Sequence, residues 1–488
     1  MNYEELLSTC DVLIKAGKIG EVEEPLLALN FTSVPRKWLH AIAKLCRRAG
    51  LIEQGLRLLQ PLIRNELSLN EPPTSQEVCE YAVLLSRNGS ILEALKLLQG
   101  IKILEAPESI LYEGFCHVSG WNYSKAAACF EKYLQSSDDS YTKLIARVNL
   151  VAAYIATRQL EAADKLLNEA IDDAKSAGAN RLVGNCFELA GQVAFFKGNF
   201  ENARRELDRA SKVFAQSGSY DELLIYKWRS TMQAMEEKSI EPLMRFRAHA
   251  VKKKHWESVR DTDFYRLKVS FDQNIFDHLI FGTPSEYYRE RVLREIPQVP
   301  SAFINYGGTE EPDFDLQTGR MKRSGPVIAG KKIHQVLNTL LKDFYAPLTV
   351  GSLFSEIYPE DYFDIDSSPL RVRQTLRRTR RWLELSEIPA TIDESRGHYK
   401  LNFSASFVIR ISLGRVSAST FEIQWQKIQE LFPAGAAFSA EEAGLKLQIS
   451  RTSFHRWLTW ALDSNLVEKS GVNKATLYRI ISNSSLKV

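Results

Sequence analysis

The chain lacks any apolar run approaching the ~18 residues that would suggest a membrane span. It also lacks a basic N-terminal region followed by a short apolar stretch, since Met1 leads into Asn-Tyr-Glu-Glu, so no secretory signal is expected and the location is expected to be cytoplasmic. Cysteine is sparse: Cys10, Cys46, Cys79, Cys116, Cys129 and Cys186 stand singly within apolar helical patterns, and none belongs to a C-x-x-C pair. That usage suits reduced, buried thiols and excludes a disulfide scaffold or a cysteine-based metal knuckle. The eight histidines are scattered; the closest pair, His249 and His255, is six apart, which does not stack both on one helical face. No nucleophile–base set is visible. Neither an enzyme, a metal, a cofactor nor a membrane partner is therefore expected.

What is present is length and charge asymmetry. The 488 residues suit two to four domains. Net charge is only +3, but residues 320–488 hold 24 Lys and Arg against 16 Asp and Glu, an excess of eight positive charges. The first 319 residues then carry five net negative charges, so a polyanion is expected to bind at the C-terminal end.

A six-residue signature recurs through the first half. Its first position is usually small or polar, its third apolar or aromatic, its sixth usually Ala. Copies begin at Gly17, Gly50, Gly89, Trp121, Arg158, Gly198 and, in degraded form, Lys238, at spacings of 33, 39, 32, 37, 40 and 40 residues. The first position ends one helix where a left-handed conformation is wanted, and the small sixth residue lets a second helix approach the first. This series resembles the tetratricopeptide repeat, with some longer copies. The resemblance covers about residues 1–296 and implies an α-solenoid of helical hairpins that binds a protein, peptide or small-molecule effector. Residues 245–295 hold many charged groups, including Arg245, His249, Asp261, Asp263, Asp272 and His278. The helical spacing of Phe264, Leu267, Phe271 and Ile275 favours one further divergent helical pair over a hydrolytic metal cluster.

Pro297, Pro300, Gly307, Gly308 and Pro312 end the repeats. Short strands are expected at Ala302–Tyr306, Phe314–Leu316 and Gly319–Arg323, then helices over Lys331–Phe344, Leu348–Tyr358 (capped by Thr349) and Pro369–Leu385, then a hairpin over Thr391–Phe403 turning at Arg396-Gly397. Between Pro369 and Leu383 the third helix has six arginines and no acid. Val372, Leu376 and Leu383 can face a core while Arg373, Gln374, Arg377, Arg378 and Arg381 face outward. Arginine suits such a face because its fork pairs with guanine edges and phosphates. Residues 301–404 resemble the OmpR/PhoB-type winged helix of bacterial regulators, from Asp315-Leu-Gln-Thr-Gly-Arg-Met through the three helices to the Arg-Gly hairpin ending Tyr399-Lys-Leu401. The resemblance implies a bacterial transcription regulator that places the third helix in the major groove of double-stranded DNA and Arg396, on the wing, near the minor groove or backbone. It gives Arg371, Arg373, Gln374, Arg377, Arg378, Arg381 and Arg396 as DNA contacts. Two departures stand out: Arg396-Gly-His-Tyr399 is one residue shorter than the usual wing, and Thr379 replaces an apolar residue. Gly325–Lys332 imitates a phosphate-binding loop but has Lys332 where a Ser or Thr should bind magnesium, so it reads as a connector.

Residues 421–488 repeat the theme. Phe421–Phe432 and a capped helix from Phe438 precede a third helix, Ser450–Leu462, and then two short strands. Its Ser450-Arg-Thr-Ser run is similar to recognition helices of bacterial helix-turn-helix regulators, which gives Arg451, Ser453, His455 and Arg456 as further DNA contacts. The alternative for this module is packing against a partner or homodimerisation. The fold class expected is thus mainly α: an N-terminal α-solenoid of helical hairpins followed by two small α+β winged-helix domains. The function expected is sequence-specific transcription regulation, and the alternative is a protein-interaction scaffold that binds no DNA.

Overall fold

The computed structural model describes residues 2–15, 20–64, 71–217, 222–308, 310–322, 331–403, 407–412, 428–429, 431–432, 435–447, 451–463, 466–471 and 476–481. The protein is mainly helical, and among the described residues its small sheets lie in the C-terminal part. Two compact units are present, one of residues 1–300, 339–377 and 392–401, the other of residues 301–338, 378–391 and 402–488.

The first unit is built on helical hairpins. In order they pair α1 (Tyr3–Lys15) with α2 (Gly20–Leu27), α3 (Arg36–Arg48) with α4 (Ile52–Ile63), and α5 (Ser75–Asn88) with α6 (Ile91–Gln99). The next pairs are α7 (Glu108–Ser119) with α8 (Tyr123–Ser136), α9 (Ser140–Ala156) with α10 (Leu160–Ser176), and α11 (Asn180–Phe196) with α12 (Phe200–Ser217). α13 (Glu222–Glu237) with α14 (Glu241–Lys252) and α15 (Trp256–Val269) with α16 (Gln273–Phe281) follow, and α17 (Glu286–Glu295) closes the series. The six signature copies from Gly50 onwards fall at the turns inside the second to seventh hairpins.

The signature's physics is visible at both of its ends. Gly50, Gly89, Trp121, Arg158, Gly198 and Lys238 all have positive φ, from +52° to +105°, so the first position is a left-handed helix end even where it is not glycine. Gly17 lies outside the described residues. The sixth position is buried in every copy: Val22, Ala94, Ala126, Ala163, Ala203 and Leu243 are wholly inaccessible and Gly55 is buried too. Close approach is taken furthest at Gly184 of α11, where a Cβ would overlap the Phe214 ring of α12. The region 245–295 is the expected extra helical pair, followed by α17. Phe264 and Leu267 are buried, but Phe271 is 44% exposed because α15 ends at Val269 and α16 presents Phe276, Leu279 and Ile280 instead.

Beyond the repeats the order is β1 (Phe303–Tyr306), β2 (Phe314–Asp315), α18 (Lys332–Leu340), β3 (Leu348–Thr349), α19 (Val350–Ile357), α20 (Ser367–Leu385), β4 (Ala390–Ser395), β5 (His398–Phe403) and β6 (Ile409–Ser412). Residues 319–323 form no strand among those described; Met321 makes a single bridge to Phe314. β6 was not expected, yet it is the centre of its sheet, antiparallel to β1 and parallel to β2. A second sheet has the order β3-β5-β4. α18 stops at Leu340, short of the expected Phe344, because the Asp343 carboxylate accepts from the Tyr345 and Ala346 amides at 2.8 and 3.0 Å and starts a turn. The phosphate-loop imitation at 325–332 lies largely outside the described residues.

Within the first unit the segment 339–377 packs on the repeats. Thr349 caps α19 by accepting from the Ser352 amide, and its hydroxyl donates to the Asn88 carbonyl at the end of α5. Gln60 of α4 donates to Asp364 and accepts from the Ile365 amide, while Glu93 of α6 accepts from the Phe363 amide. In the second unit, α21 (Ala440–Leu447) and α22 (Arg451–Asp463) pack with β7 (Ala437–Phe438), β8 (Val467–Ser470) and β9 (Leu477–Ile480) around Phe438, Phe454, Trp457 and Leu458. Ser439 caps α21 by accepting from the Glu442 amide. Most of the helix expected over 421–432 lies outside the described residues; Ile428 and Phe432 are buried in this core.

Candidate functional site

α20 presents the arginine-rich face that its sequence implied. Val372, Leu376 and Leu383 are buried, and Arg373, Gln374, Arg377, Arg378 and Arg381 are exposed. Among the described residues no carboxylate pairs with Arg373, Arg377, Arg378 or Arg381. Like charges three and four residues apart repel along a helix, so such a face is stable only because the buried side of α20 holds it. Arg371 differs: it is exposed, but its guanidinium donates to Asp361 at 2.5 Å and lies 4.2 Å from the Tyr358 ring centroid. Thr379, placed where an apolar residue was expected, is fully buried, as is Thr375, which donates to the Arg371 carbonyl.

The hairpin of β4 and β5 turns on two residues only, Arg396 and Gly397, with φ of +51° and +75°. Positive φ at both central positions is the two-residue turn that matches the twist of paired strands. Glu394 accepts from the Gly397 amide and the His398 ring meets the Arg396 carbonyl at 3.0 Å, so the turn is held locally while Arg396 is exposed at its tip. In the second module His455 is exposed on α22. Arg451, Ser453 and Arg456 share that helix, but their side chains lie outside the described residues.

A second site was not foreseen from the sequence. A cavity of about 420 Å³ opens among the first helices of successive hairpins, α7, α9, α11, α13 and α15, with α17 folded back over the α7–α8 turn. The fold-back is held by Ser285, which donates to the Gly120 carbonyl, by Trp121 edge-on to Tyr288 at 4.4 Å, and by Arg158 paired with Glu295 at 2.6 Å. Asp261 sits at its base and accepts from Lys227 and Tyr288, each at 2.9 Å. Burial opposes ionisation of Asp261, but Lys227 and Arg291 outweigh it and hold the carboxyl below the usual carboxylate range. Trp121 and Arg158, two of the three signature copies that lack glycine at the left-handed position, both line this cavity. That substitution was the one sequence signal that could have located it.

Glu113, His117 and Cys129 also come together, their ligand atoms within 4.8 Å of one another. The Glu113–His117 pair is i, i+4 on α7; only the hairpin brings Cys129 to it. Burial pushes the Cys129 thiol up to about 12, so in the free protein it is the neutral thiol.

No family model matches the chain, and no curated protein matches it in sequence. Several solved structures are similar to its repeats. MamA from Desulfovibrio magneticus RS-1 shares 17% identity over 38% of this chain and 97% of its own, with a TM-score of 0.30. A Rap protein complexed with competence and sporulation factor shares 12% over 60% and 89%, with a TM-score of 0.41. A tetratricopeptide repeat protein from Parabacteroides merdae shares 18% over 46% and 95%, with a TM-score of 0.26. No described helix is long and apolar enough to cross a membrane.

Proposed function

We propose that this is a binding protein whose helical repeats take a protein, peptide or small-molecule effector and whose winged-helix region, of the OmpR/PhoB type, engages double-stranded DNA as a transcription regulator. The observation that carries the DNA reading is the exposed, unneutralised face of Arg373, Gln374, Arg377, Arg378 and Arg381 on a helix whose other side is buried. A merely solvated helix surface ordinarily mixes signs of charge, whereas this face is of one sign and is followed by a hairpin with an exposed arginine at its tip. Arg371, engaged with Asp361, serves chiefly to hold the start of α20.

The test is selection of full-length protein against a random duplex library, followed by titration of the enriched sequence. Arg377→Ala with Arg378→Ala should weaken that binding by about tenfold or more, at ~1–3 kcal/mol per specific arginine contact. It should also flatten the dependence of log affinity on log salt by about one for each phosphate contact removed. Unchanged affinity and unchanged sequence preference would sink the proposal. A second reading, a protein-interaction scaffold without DNA binding, draws on the repeat cavity; it requires negligible DNA affinity at physiological salt together with a stable protein complex.

A further inference from the structure

The repeat cavity carries more than shape. Two residues that line it each carry a buried polar atom with no hydrogen-bond partner among the described residues: the Ser258 hydroxyl, on a residue 1% exposed, and Nδ1 of His255. Leaving such atoms buried and unpaired costs about 1–3 kcal/mol each, which argues for a group that satisfies them when bound. Both sit at the start of α15, His255 at its N-cap and Ser258 in its first turn, where the helix dipole favours negative charge.

The charges around the cavity point the same way. Arg158, Lys227, Lys268 and Arg291 share only two carboxylates, Asp261 and Glu295, through contacts of 2.6–3.5 Å. Of the residues that line the cavity three are cations, Arg158, Lys227 and Arg291, and two are carboxylates, Glu257 and Asp261. Trp121, Phe196, Trp228 and Tyr265 line the same cavity, interleaved with its cations: Arg158 lies 3.8 Å from the Phe196 ring centroid, Lys227 4.9 Å from that of Trp228 and Arg291 5.9 Å from that of Trp121. Trp121 and Arg158 occupy left-handed backbone that glycine would adopt without cost, φ +63° and +65°. Strain of that kind persists where a side chain is needed for more than the turn.

We infer that this cavity binds a small amphipathic carboxylate, its apolar or aromatic body among the lining rings and its head group at Ser258, His255 and the lining cations Arg158, Lys227 and Arg291. The volume lies in the range of small-molecule sites. The same chemistry is offered by a free organic acid and by the C-terminal residue of a peptide. The inference deepens the reading of the repeats as the effector arm and is independent of DNA binding, since it is tested without DNA.

The experiment is calorimetric titration of the full chain with phenylbutyrate, its neutral amide, the matching phenylbutylamine, and the tripeptide Gly-Gly-Phe as free acid and as C-terminal amide. The expected result is one site per chain for an acid, with the matched amide and the amine at least about tenfold weaker. Tighter binding of phenylbutyrate assigns the free acid, and tighter binding of Gly-Gly-Phe assigns a peptide end; either supports the site. Ser258→Ala should weaken the acid about three- to tenfold, the worth of one hydrogen bond, while leaving the melting temperature unchanged or higher, because it removes an unpaired hydroxyl. Arg158→Asn keeps a residue that tolerates the left-handed turn and should weaken the acid as well. Equal binding of acid, amide and amine, no binding of either acid at millimolar concentration, or wild-type affinity in Ser258→Ala would each overturn the inference. Loss of DNA binding in the α20 variant would leave these titrations unchanged.

Discussion

Arg396 adopts a backbone conformation that costs an L-residue with a Cβ about 1–2 kcal/mol and costs glycine little. Its φ of +51° is imposed by the two-residue turn between β4 and β5, and no described carboxylate compensates the residue. Arg396→Gly is therefore expected to raise stability by about 0.5–1 kcal/mol in urea denaturation, glycine's greater freedom in the unfolded chain offsetting part of the gain. Under the proposed reading the same variant loses several-fold in DNA affinity. A destabilised variant would instead mean that the arginine makes a stabilising contact in the free protein. The pairing of strain with a functional gain separates this arginine from Arg371, whose bond to Asp361 gives it a structural role already.

Elements here are specified by the contrast between small and large residues across each hairpin. Gly184 faces Phe214, whereas at Gly20 in α2 nothing lies within 4 Å of a built Cβ. Gly184→Ala should destabilise by ~1–3 kcal/mol, the usual cost of overpacking a closed interface. Gly20→Ala should be neutral or stabilising by up to ~1 kcal/mol, since alanine is the better helix former. Thermal or urea denaturation of the two variants checks both, and equal effects would show that the α11–α12 interface yields. The same contrast made the hairpins readable: the left-handed first position and the small sixth position are local requirements, so they leave a mark at fixed spacing. β6 left no such mark. It is four residues long and forms a sheet only with partners roughly a hundred residues earlier, Phe303–Tyr306 and Phe314–Asp315.

At the scale of the molecule, residues 339–377 belong to the same compact unit as the repeats. Arg260 of α15 is 1% exposed and donates to Asp343, 7% exposed, at 2.6 Å, within the first unit. Removing one member of a buried ion pair strands the other charge, at about 3–5 kcal/mol. Asp343→Ala is thus expected to lower stability by that order. Arg260→Met combined with Asp343→Leu should recover much of the loss, because the one charge left without its partner, Glu257, is half exposed to water. A double variant as unstable as the single one would show that the two turn amides accepted by Asp343 matter more than the pair.

The sequence by itself determined the repeat spacing, the left-handed helix ends inside the hairpins, the arginine face of α20 and the two-residue turn at Arg396-Gly397. All of these rest on interactions between residues a few positions apart, which periodicity and turn chemistry record directly. The early end of α18 is also local, a turn made by the Asp343 carboxylate with the next amides, but tertiary structure alone decided the burial of Thr379, the exposure of Phe271, the engagement of Arg371 and the placing of β6. It alone decided the cavity as well. Trp121, Arg158, Lys227, Ser258 and Arg291 lie far apart in sequence and meet only because successive hairpins stack and α17 folds back onto the α7–α8 turn. Long-range juxtaposition of that kind depends on how many weak packing choices add up, and no local pattern encodes the sum.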